Sequence, residues 1–213
     1  MEWINGQLPA NEVIGQVLRK NVTMYPKLAI RELIGNMIIH QDFSELGGPM
    51  VEIYSDRIEI SNPGVPLVNI DRFIDEYQSR NETLADLMRR MGFCEEKGSG
   101  LDKVITLIEV YQLPPLRIQS TENRVIVTME AYKPWRTMTP QERVQACYQH
   151  TCLKYVSNEQ TTNQSLRARF NIDDKNYPMI SRLLKDAVDK GLIKDADPEI
   201  KSQRNRSYIP YWG

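Results

Sequence analysis

Residues Ile30, Leu33, Ile34, Met37 and Ile38 fall at the i, i+3, i+4 spacing of a buried stripe, which predicts a helix over residues 28–41. MVEIYSDRIEIS then switches to period two, with Val51, Ile53, Ile58 and Ile60 alternating against polar neighbours about a Ser55-Asp56 turn. That is a β-hairpin, broken at Asn62-Pro63-Gly64, where proline removes a donor and glycine admits positive φ. A loop of mixed polarity runs to about Asn81. Leu84, Leu87, Met88 and Met91 predict a short helix closed by Gly92, and Leu101, Val104, Ile105 and Ile108 predict another, stopped by Pro114-Pro115. RIQS and NRVIVTMEAY read as two further strands joined near Thr121-Glu122-Asn123. A helix, a hairpin, helices and strands in that order indicate an α+β sandwich, with helices on one face of a mostly antiparallel sheet.

The pattern changes after Lys133-Pro134-Trp135 and Thr139-Pro140. QERVQACYQHTCLKYV predicts one helix and residues 163–170 a short second one. A third runs from Pro178 with Ile180, Leu183, Leu184, Ala187 and Val188 inward, and is capped by Gly191. Leu192-Ile193 and SYIPYW close the chain as a hairpin around the basic turn KSQRNR. Three short helices and a basic-tipped hairpin describe a winged helix. The expected organisation is therefore a first domain over residues 1–133 (with 1–25 as a lead-in), a linker over 134–139, and a winged-helix domain over 140–213.

Overall charge adds nothing, at −1 for 213 residues, but its distribution does. Residues 1–138 hold 15 Lys and Arg against 19 Asp and Glu, whereas residues 139–213 hold 12 against 9. An acidic body with a basic final third fits two units, the second suited to a polyanion. Three cysteines, Cys94, Cys147 and Cys152, form no metal-ligand or disulfide pattern and fit buried thiols in a reducing compartment. The start MEWINGQ is not a signal peptide, and no apolar run reaches the roughly 18 residues of a membrane span. A cytoplasmic protein without a membrane partner is expected.

Candidate chemistry begins with a second row on the first helix. Glu32, Asn36 and His40 lie four apart, so a carboxylate, an amide and an imidazole share one face. A solvated face, with Glu32 paired to Lys27 or Arg31 and Asn36 capping a loop, is one explanation; a site is the other. Gly98-Ser99-Gly100 directly precedes the helix that starts at Leu101. Such a segment can present bare N–H groups and a helix dipole to an anion, or serve close packing alone.

AIRELIGNMIIHQDFS, IYSDRIEISNPGVPL, RNETLADLMRRMGFCEEKGSGLDKVI and the closing NRSYIPYW, taken in order, resemble the C-terminal half of the Schlafen/AlbA-type regulators, also labelled RecG-related helicase C-terminal or divergent AAA. Their first domain is similar to the GHKL ATPases, the fold of gyrase and the histidine kinases. The resemblance implies a GHKL-type sandwich followed by a winged helix, with ATP and Mg²⁺ as cofactors. It places Glu32 as the water-activating base and Asn36 as the Mg²⁺ ligand through its amide oxygen. Gly98, Ser99 and Gly100 would hold phosphates, Asn62 and Gly64 would lie at the base, and His40 would stand within reach of a phosphate. One departure matters: the family's ATPases carry an aspartate before the first glycine loop, and this chain has Asn62, without charge assistance for reading adenine. No GxxxxGK[ST] loop is present to drive a translocating motor.

The resemblance also implies an AlbA-like domain upstream, which this chain lacks, and a homodimer is compatible with it. Double-stranded DNA is the expected partner. In a winged helix the third helix enters the major groove and the wing follows the backbone. Those roles fall on Asn176, Tyr177, Ser181, Arg182 and Lys185, on Arg167 and Arg169 of the second helix, and on Lys201, Arg204 and Arg206 of the wing. The leading expectation is a DNA-binding transcriptional regulator with a nucleotide sensor or assembly domain. The alternatives are a Mg²⁺-dependent ATPase and a protein-interaction module with a vestigial pocket.

Overall fold

The computed structural model describes residues 2–7, 10–14, 19–93, 98, 100–199, 202 and 206–213. The chain divides into two compact units, Met1–Tyr132 and Lys133–Gly213. The first opens with helix α1 (Glu2–Gln7) and an antiparallel hairpin of β1 (Ala10–Ile14) and β2 (Arg19–Thr23), in a stretch for which the sequence predicted no element. Helix α2 (Lys27–Ile39) follows, then β3 (Met50–Ile53), β4 (Arg57–Pro63), a 3-10 turn at Ile70–Arg72, α3 (Glu82–Arg90), α4 (Gly100–Val110), β5 (Arg117–Ser120) and β6 (Arg124–Glu130).

The four strands β3 to β6 form one antiparallel sheet in the order β3-β4-β6-β5. Register explains its inner face. Val51 pairs with Ile60, Ile60 with Val127 and Val127 with Ile118, so one apolar row crosses all four strands. Period two then brings Ile58 and Asn62 to the same face as Ile60. Ile58, Ile60 and Met129 are buried, as are Ile30, Leu33 and Met37 of α2 and Val104, Ile105 and Ile108 of α4. This is an α+β arrangement. Two stripes differ from the sequence pattern: Leu87 and Met91 of α3 are exposed, and Ala85 and Met88 make the contact, packed with Ile39. The nine-residue helix meets its support along one narrow line, so the outer apolar residues are left over.

The second unit contains a 3-10 turn at Trp135–Thr137, α5 (Pro140–Val156), β7 (Thr161–Thr162), α6 (Asn163–Arg169), a 3-10 turn at Asp174–Asn176, α7 (Tyr177–Asp189), β8 (Ile193–Asp195) and β9 (Ser207–Pro210). Its strands form a sheet in the order β7-β9-β8. Thr139 starts α5 with a capping box, its hydroxyl accepting from the Glu142 N–H while the Glu142 carboxylate accepts from the Thr139 N–H. Residues 134–139 are not a bare linker, because Trp135 packs edge-on against Phe170 and under the Arg143 guanidinium. Ile180, Leu183, Leu184 and Ala187 of α7 are buried, whereas Val188, read as inward, is exposed. Cys147 and Cys152 are buried free thiols, and burial pushes Cys147 up to about 12; Cys94 lies outside the described residues.

Candidate nucleotide cavity and basic helix

The row on α2 is not a solvated face. Glu32 is only 5% exposed, and its neighbours Ala29, Ile30, Leu33 and Gly35 are buried as well. The carboxylate lies against α4: a Cβ added to Gly100 would stand 2.0 Å from Glu32 Oε1. Glycine is therefore required at the first residue of α4 for the glutamate to keep its place. Asn36 and His40 follow at one-turn intervals, half-buried.

These side chains border a cavity of about 150 Å³. Its apolar wall comes from the inner row of the sheet, Ile60, Val125, Val127 and Ile118, and from Leu33 and Met37. Polar groups enter from separate segments: Glu32, Asn36 and His40 from α2, Asn62 from the end of β4, Arg80 and Arg89 from the far side, and Gly98 and Gly100 from the start of α4. An apolar slot with a few convergent polar groups is the usual form of a small-molecule site. Ser99 lies outside the described residues.

Asn62 is 6% exposed, and its amide has a fixed orientation. Nδ2 donates to the His40 carbonyl at 3.3 Å and to the Pro63 carbonyl at 3.2 Å, so both amide hydrogens are committed and Oδ1 remains as the acceptor. Gly64 does not line the cavity: its N–H donates to the Asn123 carbonyl at 2.8 Å. A Cβ at Gly64 would meet Asp42 Cβ at 2.8 Å, and its φ is +105°, so it is a packing and turn glycine, not a ligand-facing one. Burial, with Arg80 second, lowers the pKa of His40, which favours the neutral ring; its edge meets Tyr77. A phosphate contact from His40 would thus be a neutral hydrogen bond.

Two residues outside the sequence reading hold the cavity wall. Arg80 donates to Asp42 Oδ2 at 2.8 Å and to the Val65 carbonyl at 2.7 Å. Hydrogen bonds from Ser44, and then Arg80, hold the Asp42 carboxyl below its ordinary range. Asn81 Nδ2 donates at 2.8 Å to the carbonyls of both Ile39 and Gln41, which closes the end of α2.

In the second unit, the residues proposed to face DNA separate into two groups. Arg182 and Lys185 are exposed on α7, and with Tyr177, Ser181, Arg206 and Tyr208 they line a cleft of about 480 Å³. Asn176 and Tyr177 are half-buried at the start of α7. Arg169 is not available, being 7% exposed with its guanidinium toward the Phe170 ring. It faces inward because α6 has only seven residues and its last turn packs into the unit. Arg167 is mostly covered, paired with Asp174 and donating through Nε to Asn163 Oδ1 at 2.9 Å. Asn163 in turn donates to the Tyr177 carbonyl and to Ser181 Oγ, stitching α6 to α7. Arg206 stands 3.8 Å from Asp195. Lys201 and Arg204 lie outside the described residues.

Residues 47–129 match the family model described as "Putative ATP-dependent DNA helicase recG C-terminal". The match runs from β3 almost to the end of β6 and takes in the sheet, α3 and α4. It excludes α2, with Glu32 and Asn36, and the whole second unit. Among solved structures, the DIP2311 protein from Corynebacterium diphtheriae is similar in fold, with a TM-score of 0.59 at 18% identity over 98% of this chain. This chain spans 44% of that protein. No curated protein matches the sequence.

The residues present fit a nucleotide with a divalent cation. Glu32 and Asn36 offer two adjacent oxygen ligands, and no group of three or more His, Cys, Asp or Glu that could hold a metal exists among the described residues. That number suits Mg²⁺, which usually takes one or two protein ligands and completes its shell with phosphates and water. No helix among the described residues is long and apolar enough to cross a membrane.

Proposed function

We propose that the chain is a nucleotide-responsive DNA-binding regulator. ATP with Mg²⁺ occupies the cavity of the first unit, and double-stranded DNA lies along α7 and the β8–β9 hairpin of the second, which acts as a winged helix. The observation that carries the first half is convergence: Glu32, Asn36, His40, Asn62, Gly98 and Gly100 come from three separate stretches of chain and border one cavity. The match to an ATPase-like helicase region over residues 47–129 supports the same reading. Asn62 offers an acceptor to the slot, which suits a base edge carrying an amino donor, as adenine does, though without the charge assistance of an aspartate. Bound Mg²⁺ would neutralise phosphate charge, with Asn36 and Glu32 as its protein ligands.

The DNA half rests on the exposed Arg182 and Lys185 of a third helix followed by a hairpin, in the basic part of the chain. Replacing both by alanine is expected to weaken DNA binding at low salt. If both touch phosphates, it should also reduce the slope of log affinity against log salt by roughly 2. Fluorescence anisotropy across a salt series measures this, and an unchanged slope would contradict the assignment.

The buried position of Glu32 one turn from Asn36 also favours a second reading, slow ATP hydrolysis with Glu32 as base. Phosphate release that vanishes in Glu32→Gln tests it. Translocation forms no part of either reading.

A further inference from the structure

Glu32 occupies an unusual place for a base. Its side chain is buried, and its carboxylate presses on the first residue of α4, an 11-residue helix whose free N–H groups and dipole attract negative charge. Gly98 and Gly100 of the same segment border the cavity. A phosphate cradled there would therefore arrive beside a carboxylate already in place. Two negative charges brought together in a partly desolvated site repel strongly unless a cation stands between them.

We propose that Glu32 is a specificity determinant: it makes the cavity reject a free nucleotide phosphate and accept one that arrives with a divalent cation. The cation bridges carboxylate and phosphate, and Asn36, one turn along α2, supplies a neutral oxygen to the same ion. Gly100 is what allows this, because any side chain there would displace the carboxylate from the helix start. The inference rests on the nucleotide reading above but adds a separate consequence. Removing the Glu32 charge should strengthen metal-free binding, whereas loss of an ordinary ligand weakens it.

The test is a calorimetric titration of ATP into the full chain, with Mg²⁺ and with a chelator, for the wild type and for Glu32→Gln, which keeps size and removes charge. Wild-type affinity without metal is expected to fall at least about tenfold below that with Mg²⁺, and Glu32→Gln to close most of that gap by binding metal-free ATP more tightly. Glu32→Ala, with the side chain shortened, should behave alike and serves if the amide variant does not fold. ATP binding with an equal gap in wild type and variants, or weaker metal-free binding in the variants, overturns the inference and leaves the nucleotide reading standing. No binding by any protein under either condition overturns both.

Discussion

At the scale of single residues, Glu32 and Gly100 define each other. The glycine leaves room that the carboxylate fills, so Gly100→Ala should cost about 1–3 kcal/mol in chemical denaturation as the helix or the glutamate shifts. Combined with Glu32→Ala, most of that cost should disappear, since the clash has lost its partner; strictly additive losses would show the contact to be unimportant. His40 gives a pH signature. Its folded pKa lies below the ordinary 6.5, chiefly through burial, so the unfolded chain takes up a proton that the folded chain refuses. Its contribution is complete above pH 6.5 and is lost as pH falls from there toward the folded value. Denaturation midpoints on either side of pH 6.5 should show this decline, and His40→Asn should flatten it. The one-row spacing of Glu32, Asn36 and His40 was legible in the sequence, but its burial was not, because helical spacing gives shared faces and only packing says which face is covered. Arg169 failed for the same reason: a cation in a basic helix reads as exposed until the ring beside it is seen.

At the scale of elements, the periodicities located α2 to α4 and both hairpins of the larger sheet, since each has an apolar row long enough to outweigh local noise. Asn62 could even be assigned to the inner face from its period-two relation to Ile58 and Ile60. The capping of α2 could not. Asn81 reaches back some forty residues to the carbonyls of Ile39 and Gln41, and long-range side-chain bonds leave no periodic trace. Asn81→Ala leaves both carbonyls without that donor and should destabilise the first unit by about 1–3 kcal/mol. A variant as stable as the wild type in thermal denaturation would show that water replaces the amide.

At the scale of the whole molecule, the acidic and basic halves correspond to two units, each with its own buried residues. Residues 133–213 alone should therefore fold cooperatively, with a helical circular-dichroism signal and a single melting transition; a featureless melt would contradict independence of the units. The account joins these units through one claim, that the cavity of the first holds a nucleotide with its metal. Calorimetric titration of ATP with Mg²⁺ into the full chain, beside Asn36→Ala, tests that claim most directly. Saturable heat that disappears in the variant is the result predicted; no heat up to millimolar ATP, or equal heat from both proteins, would contradict it.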